Sequence, residues 1–283
     1  MTIYISTGGY KSKPADQTVK DLLSSGVKEI ELSGGVYHPN LIDNLTNFLK
    51  SGVNFQIHNY FPPPKKPFII NLASNIQSIR ETSLEHVFNA IKCCKKLNAK
   101  FYSFHAGFLC DFDVSEIGKK IKKRDLYDRK KSTDLFLECL LKISKFAFDH
   151  GVNIMVENNV VSKKNLLEFE KNPFLMGDPD ETLKIMQNSP NNIKLLVDVA
   201  HLKVSANSLN YKSEELFLKC NDYISGYHLS DNNGLADTND NINEQSWFWK
   251  YLKKDLDYYS LEIYGETVEN LKKIKTLCQD KLK

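Results

Sequence analysis

The chain has 283 residues, 41% of them hydrophobic, and 38 basic against 35 acidic residues leave a net charge of +3. That is ample material for a core, with no membrane-length apolar run and no Ser/Gly/Pro linker, so residues 1–283 read as a single domain without a membrane partner. Near-balanced charge, with Arg80, Arg124 and Arg129 the only arginines, argues against a nucleic-acid partner, which draws on arginine for bidentate phosphate contacts.

The first predicted element is a strand, TIYIST, ending at Thr7, after which Gly8 and Gly9 let the chain turn tightly. Val19, Leu22 and Leu23 then share one face of a helix over Ala15–Ser25, stopped by Gly26. EIEL around Glu31 follows, then a helix over Leu41–Leu49 and the strand NFQIH, ending at His58. A helix over Leu84–Leu97, with Ser83 as its N-cap, precedes FYSFH, ending at His105. The long apolar helix Ser132–His150 leads to NIMVE, ending at Glu157. Helices over Asp180–Met186, Glu214–Cys220 and Ser246–Leu252 precede KLLVD ending at Asp198, ISGYH ending at His228, and YYSLE ending at Glu262. A helix over Thr267–Leu277 closes the series.

Short apolar runs bounded by turn signals are strands buried on both faces, as in a parallel sheet covered by helices. Their spacing, roughly 25 to 50 residues, leaves room for the return helix of a βα unit. Eight such units predict the α/β class and a single (β/α)8 TIM barrel, with its active site at the C-terminal ends of the strands. The rival is a doubly wound open sheet, which seldom ends all its strands on polar residues. Three long loops sit at the predicted catalytic face: Tyr60–Phe68 with its three consecutive prolines, the charged Phe108–Ser132, and the polar Leu229–Gln245. The Phe108–Ser132 loop has room for a lid or a short extra helix. Tyr60, Phe61, Trp247 and Trp249 are candidates for an apolar wall against a sugar face. The run Lys119–Arg124 reads as a solvated face.

Six cysteines without CxxC spacing imply no disulfide framework and a reducing, cytoplasmic location. The N-terminus enters a strand at once, leaving no room for a signal peptide.

Glu157, Asp198, His228 and Glu262 end four consecutive strands. Three carboxylates and an imidazole suit a divalent metal ion such as Mn²⁺, Mg²⁺, Co²⁺ or Zn²⁺. Without a cation, carboxylates converging in a low-dielectric barrel mouth would raise one another's pKa values. A metal removes that conflict.

VENN at Glu157, DVAH at Asp198, YHLSDN at His228 and LEIY at Glu262 resemble, in order, the metal-binding motifs of the xylose isomerase-like TIM-barrel superfamily. That superfamily includes sugar epimerases and isomerases and also endonuclease IV. The resemblance covers nearly the whole chain and implies Glu157, Asp198, His228 and Glu262 as metal ligands. It implies a divalent-metal-dependent sugar or sugar-phosphate isomerase/epimerase, with a small carbohydrate substrate. Glu157 and Glu262 would be its acid/base pair in proton transfer next to a carbonyl, through a metal-stabilised enediolate. His201, in the DxxH spacing from Asp198, would hydrogen-bond the substrate. Epimerases of the ketohexose type carry an arginine shortly after the strand-seven histidine; here SDNNG follows His228.

His58 and His105 fit the positions of two histidines that bind a second zinc in endonuclease IV, and FIINL at Phe68–Leu72 resembles the segment that follows there. They are candidates equally for substrate binding and for a second metal. The alternative activity is thus that of a zinc phosphodiesterase acting on abasic DNA. That enzyme also uses an Asp-x-His pair, where this chain offers Asp237-Thr238-Asn239. Asp231 is a candidate for substrate binding or for orienting a ligand from behind. Glu31 either meets substrate hydroxyls or orients a neighbour. If the substrate is phosphorylated, Lys65, Lys66 and Lys203 are the cations at hand. Which sugar, which metal and what oligomeric state the sequence leaves open.

Overall fold

All eight expected strands form, and they hydrogen-bond in parallel in chain order until β8 meets β1. This is seen in a computed structural model that describes residues 1–10 and 12–283. The strands are β1 (Ile3–Ser6), β2 (Glu29–Leu32), β3 (Asn54–His58), β4 (Phe101–His105), β5 (Asn153–Glu157), β6 (Ile193–Asp198), β7 (Ile224–Leu229) and β8 (Tyr259–Leu261). Between them run α1 (Ala15–Ser24), α2 (Leu41–Phe48), α3 (Gln77–Lys96), α4 (Arg129–His150), α5 (Lys163–Phe169), α6 (Pro179–Asn188), α7 (Val199–Leu209) and α8 (Glu214–Cys220), and α9 (Val268–Lys281) follows β8. The fold is a single (β/α)8 barrel, and the rival open sheet is excluded by the closure.

Sequence periodicity placed most helices within a few residues. Three differences stand out. α3 begins at Gln77, seven residues before Leu84, and Ser83 is no cap. Its hydroxyl donates to the carbonyl of Ile79 at 2.7 Å and accepts from Asn71 N–H at 2.9 Å, so it pins the β3–α3 loop to the helix. α5 and α7 were not expected. α7 starts directly off β6, with Asp198 as its N-cap accepting from His201 N–H, and burial of Val199–Leu202 and Val204–Ala206 hides any amphipathic stripe. The helix expected over Ser246–Leu252 is only a 3₁₀ turn, Trp249–Tyr251.

The main core lies between strands and helices, while Tyr4, Phe101, Met155, Leu196 and Tyr258 pack together as a separate cluster. Side chains alternate along a strand, so the residues two before each ring position form the layer below. Gly226 belongs to that layer because a Cβ there would press on Tyr258, Leu196 and Met155 at 3.0–3.1 Å. The gap it leaves is filled by the Tyr258 ring.

Two loops at the C-terminal ends of the strands are tied together around Asp111. Asn71 Nδ2, Ser74 Oγ and Tyr127 O–H all donate to its carboxylate at 2.5–2.6 Å, and Arg124 donates to its backbone carbonyl. The Phe108–Ser132 loop contains one short 3₁₀ turn, Val114–Glu116. All six cysteines are buried free thiols, and no described helix is long and apolar enough to cross a membrane.

Candidate metal centre

Strand register sets the ring. His105 pairs with Glu157, and Asp198 with His228, so these four side chains leave the sheet at matched heights. Glu262 lies one residue beyond β8, but its N–H still donates to Leu229 O, which extends the ladder to the ring. All four expected ligands meet around one atom. His228 Nδ1 lies 3.0 Å from Glu157 Oε1, 3.1 Å from Glu262 Oε2 and 3.9 Å from Asp198 Oδ2.

A second set adjoins the first through the same glutamate. Glu157 Oε2 is 3.1 Å from His105 Nδ1 and 3.5 Å from His58 Nε2, without a well-directed hydrogen bond to either. Ligand atoms of His58, Glu157, His228 and Glu262 lie within 4.8 Å of one another, as do those of His105, Glu157 and His201. Glu157 belongs to both sets, with Oε1 facing His228 and Oε2 facing His58 and His105. Asp198 Oδ2 and Glu157 Oε2 are both fully buried without a hydrogen-bond partner, a costly state that a cation relieves. The donor set fits a divalent metal.

The positions of the flanking groups follow from neighbours in sequence. Asn158 accepts from Asp198 N–H and donates to Asp198 O, clamping that residue's backbone. Its own carbonyl lies 3.1 Å from His201 Nδ1, which leaves His201 Nε2 facing Asp237 Oδ2 at 3.2 Å. His58 Nδ1 is held by Ser103 Oγ at 2.9 Å. Tyr264 O–H donates to Glu262 Oε1 at 2.7 Å.

Electrostatics explain what the ring does without a cation. Burial alone would raise Glu157, but His105, His228 and His58 hold it well below the usual carboxylate range. Burial pushes Asp198 up to about 7; His201 opposes this, and Glu157, Asp237 and Glu262 add to it. Burial presses on the His228 imidazole, but Glu31 and Glu157 outweigh it and hold the ring well above its ordinary value. His105 goes the other way, pushed down to about 4 by burial.

Some expected groups lie elsewhere. Of the two roles open to Glu31 its position suits the second: it registers with Gln56, one layer below His58, and meets its neighbour His228 at Nε2, 2.9 Å away, instead of facing the mouth. Asp231 is paired with Lys203 Nζ at 2.6 Å and bridged by its backbone to Asp240, which occupies both the carboxylate and that lysine. The proposed aromatic wall is dispersed. Phe61 is fully buried, Tyr60 accepts from Phe68 N–H, and Trp247 packs against Phe217 and Tyr251. Sequence reasoning passed over Asn158, Tyr258 and Tyr264. Asn158 and Tyr264 were within reach as neighbours of ring residues in VENN and LEIY, and Tyr258 by its even spacing from Glu262.

Solved structures with this architecture span the chain almost completely. A D-tagatose 3-epimerase-like protein superposes with a TM-score of 0.75 at 18% identity, covering 100% of this chain and 97% of its own. D-psicose 3-epimerase from Clostridium cellulolyticum H10, solved with D-tagatose, gives 0.65 at 13%, covering 100% and 97%. The TTHB071 protein from Thermus thermophilus, soaked with ZnCl₂, gives 0.63 at 15%, covering 99% of each. In sequence, an uncharacterized protein of Methanocaldococcus jannaschii is 27% identical over 218 residues, 76% of this chain and 72% of its own length. A family model described as xylose isomerase-like TIM barrel matches residues 19–278, a span that includes every ring residue. By that match the chain belongs to the xylose isomerase-like TIM-barrel family.

Proposed function

We propose that the protein is a cytoplasmic, divalent-metal-dependent sugar or sugar-phosphate isomerase/epimerase. The observation that carries this reading is the meeting of Glu157 Oε1, Asp198 Oδ2 and Glu262 Oε2 around His228 Nδ1. Glu157, Asp198, His228 and Glu262 would hold a divalent ion, which would supply Lewis-acid polarisation of a substrate carbonyl. Glu157 and Glu262 are the acid/base pair. Glu262 has the freer oxygen, Oε1, which faces a tyrosine hydroxyl, whereas both oxygens of Glu157 face imidazoles. His58, His105 and His201 line the substrate side, with His201 Nε2 and Asp237 as a polar pair for a hydroxyl. The names of the epimerases that share the fold support a small carbohydrate as substrate. The test is solvent exchange. Incubated in D₂O with Mn²⁺, Co²⁺, Mg²⁺ or Zn²⁺ and a panel of aldoses and ketoses, the enzyme should place deuterium on the carbon next to the carbonyl. Metal bound and no exchange anywhere in the panel overturns the reading.

One observation favours a second reading, a zinc phosphodiesterase of the endonuclease IV kind. Glu157 Oε2 is flanked by His58 and His105, as a bridging carboxylate between two metals would be, and Asp237 faces His201. Against it, Asn239 stands where the Asp-x-His pattern needs histidine, and the three arginines are engaged elsewhere. Arg80 holds Ser74 O, Arg124 holds Glu116, and Arg129 holds Glu181. Metal analysis with an abasic-duplex assay separates the two. One ion per chain without incision supports the isomerase; two or three zinc ions with incision replace it.

A further inference from the structure

We infer that Glu31 and Tyr258 form a positioning pair that fixes the orientation and tautomer of His228 and so sets the affinity of the metal centre. This rests on the metal-centre reading above. His228 is fully buried with a ring nitrogen aimed each way: Nδ1 toward the three ring carboxylates, Nε2 toward Glu31 Oε2 at 2.9 Å. Only one tautomer suits both neighbours once a cation is bound. Nε2 carries the hydrogen and donates it to Glu31, and the Nδ1 lone pair faces the metal. Tyr258 O–H donates to the same Glu31 oxygen, so the carboxylate is held from below while it holds the imidazole above.

Three features show that this arrangement is built around His228. β2 lies across the barrel from β7, and Glu31, in register with Gln56, comes from the layer beneath the ring, where it supports a ligand without occupying a ligand position. Gly226 clears the space that the Tyr258 ring occupies, two residues before His228 on the same strand. Glu31 Oε1 is fully buried and makes no hydrogen bond, a cost that a residue present for packing alone would avoid by being apolar. A negative carboxylate behind the imidazole makes Nδ1 a stronger donor to the metal, and it anchors a ring that would otherwise turn about its χ2 bond.

The test compares the full-length wild type with Glu31→Gln and Tyr258→Phe, which keep the shapes of the replaced side chains. Mn²⁺ and Zn²⁺ are titrated by calorimetry, and the His228 ring nitrogens are followed by ¹⁵N NMR in the Zn²⁺-loaded proteins. Glu31→Gln should weaken Zn²⁺ binding by about 10- to 100-fold. Tyr258→Phe should weaken it in the same direction by less. The wild type should show a protected Nε2–H that exchanges faster or shifts in both variants. Wild-type affinity and an unchanged His228 signal in both variants overturn the inference and leave the metal centre standing. Failure of the wild type itself to bind either ion overturns the metal-centre reading and the inference with it. Circular dichroism of the metal-free variants separates misfolding from lost affinity, and Tyr258→Phe, removing only a hydroxyl, carries the decision if Glu31→Gln does not fold.

Discussion

Of the two glutamates assigned to proton transfer, Glu262 alone has an oxygen turned to a hydroxyl, that of Tyr264, and it is 8% exposed where Glu157 is fully buried. Glu262→Gln preserves the shape and keeps Glu157, Asp198 and His228 as ligands, but removes the proton acceptor. Exchange into substrate should fall by about 10²- to 10⁴-fold with metal still bound, read by deuterium incorporation beside metal content. Undiminished exchange would move the acid/base role elsewhere. The ring itself was legible from sequence because side chains alternate strictly along strands, so that each strand's terminal residue declares its face. Depth was not. Glu31 falls one layer low because strand register, which period alone does not fix, pairs it with Gln56. Asp231, close to His228 in sequence, is drawn away where the chain bridges to Asp240 and Lys203.

At the scale of elements, the loops after β3 and β4 follow His58 and His105 and are tied to each other through Asp111, and their contacts are specific enough to test. Gly107 follows the His105 strand end, and a Cβ there would run into Ala73 of the β3–α3 loop, 3.1 Å from its backbone nitrogen. Gly107→Ala should destabilise by about 1–3 kcal/mol and slow exchange through a displaced His105, as seen in denaturant melts beside activity. Glu116 is a second point. Its carboxylate accepts from the N–H groups of Asp113 and Lys122 and from Arg124, and these bonds hold it at about 2, against an ordinary 4.5. Because the folded value is depressed, its contribution is complete above the ordinary value and is lost as pH falls from about 4.5 to 2. Glu116→Gln should therefore cost about 1–3 kcal/mol at pH 7, with the gap to wild type closing near pH 2. A gap of constant size across pH 2–7 would show that the charge plays no part. Amphipathic helices were legible for the reason α1 is, with Val19 and Leu22 buried on one face. α7 was not, because helix and strand both lie in the core there and period gives no contrast.

The barrel as a whole was legible because its signal is repeated: eight apolar runs at βα spacing leave little choice of topology. What repetition cannot encode is which groups meet across the barrel, and the four carboxylates and four histidines gathered there set the molecule's energetics. Glu31, Glu157, Asp198, Glu262, His58, His201 and His228 are all buried, and His105 is only partly exposed. In a metal-free chain their mutual neutralisation is incomplete, as the unpartnered oxygens of Glu31, Glu157 and Asp198 show. A cation that binds only the folded barrel should therefore act as a global stabiliser. At 100 times its dissociation constant it adds about 2.7 kcal/mol, a melting shift on the order of 5 °C for a chain of this size. Stripping with a chelator should lower the melting temperature by that amount, and Mn²⁺ or Zn²⁺ should restore it. Asp198→Ala should reduce the shift, because it removes one of the four expected ligands and leaves Glu157, His228 and Glu262 with His58 beside them. The shift should shrink as pH falls through about 7, the value to which burial pushes Asp198, because protons compete for the same nitrogen and oxygen atoms. A wild-type melt indifferent to chelator and to added ions would mean that the ring is neutralised by its own histidines alone.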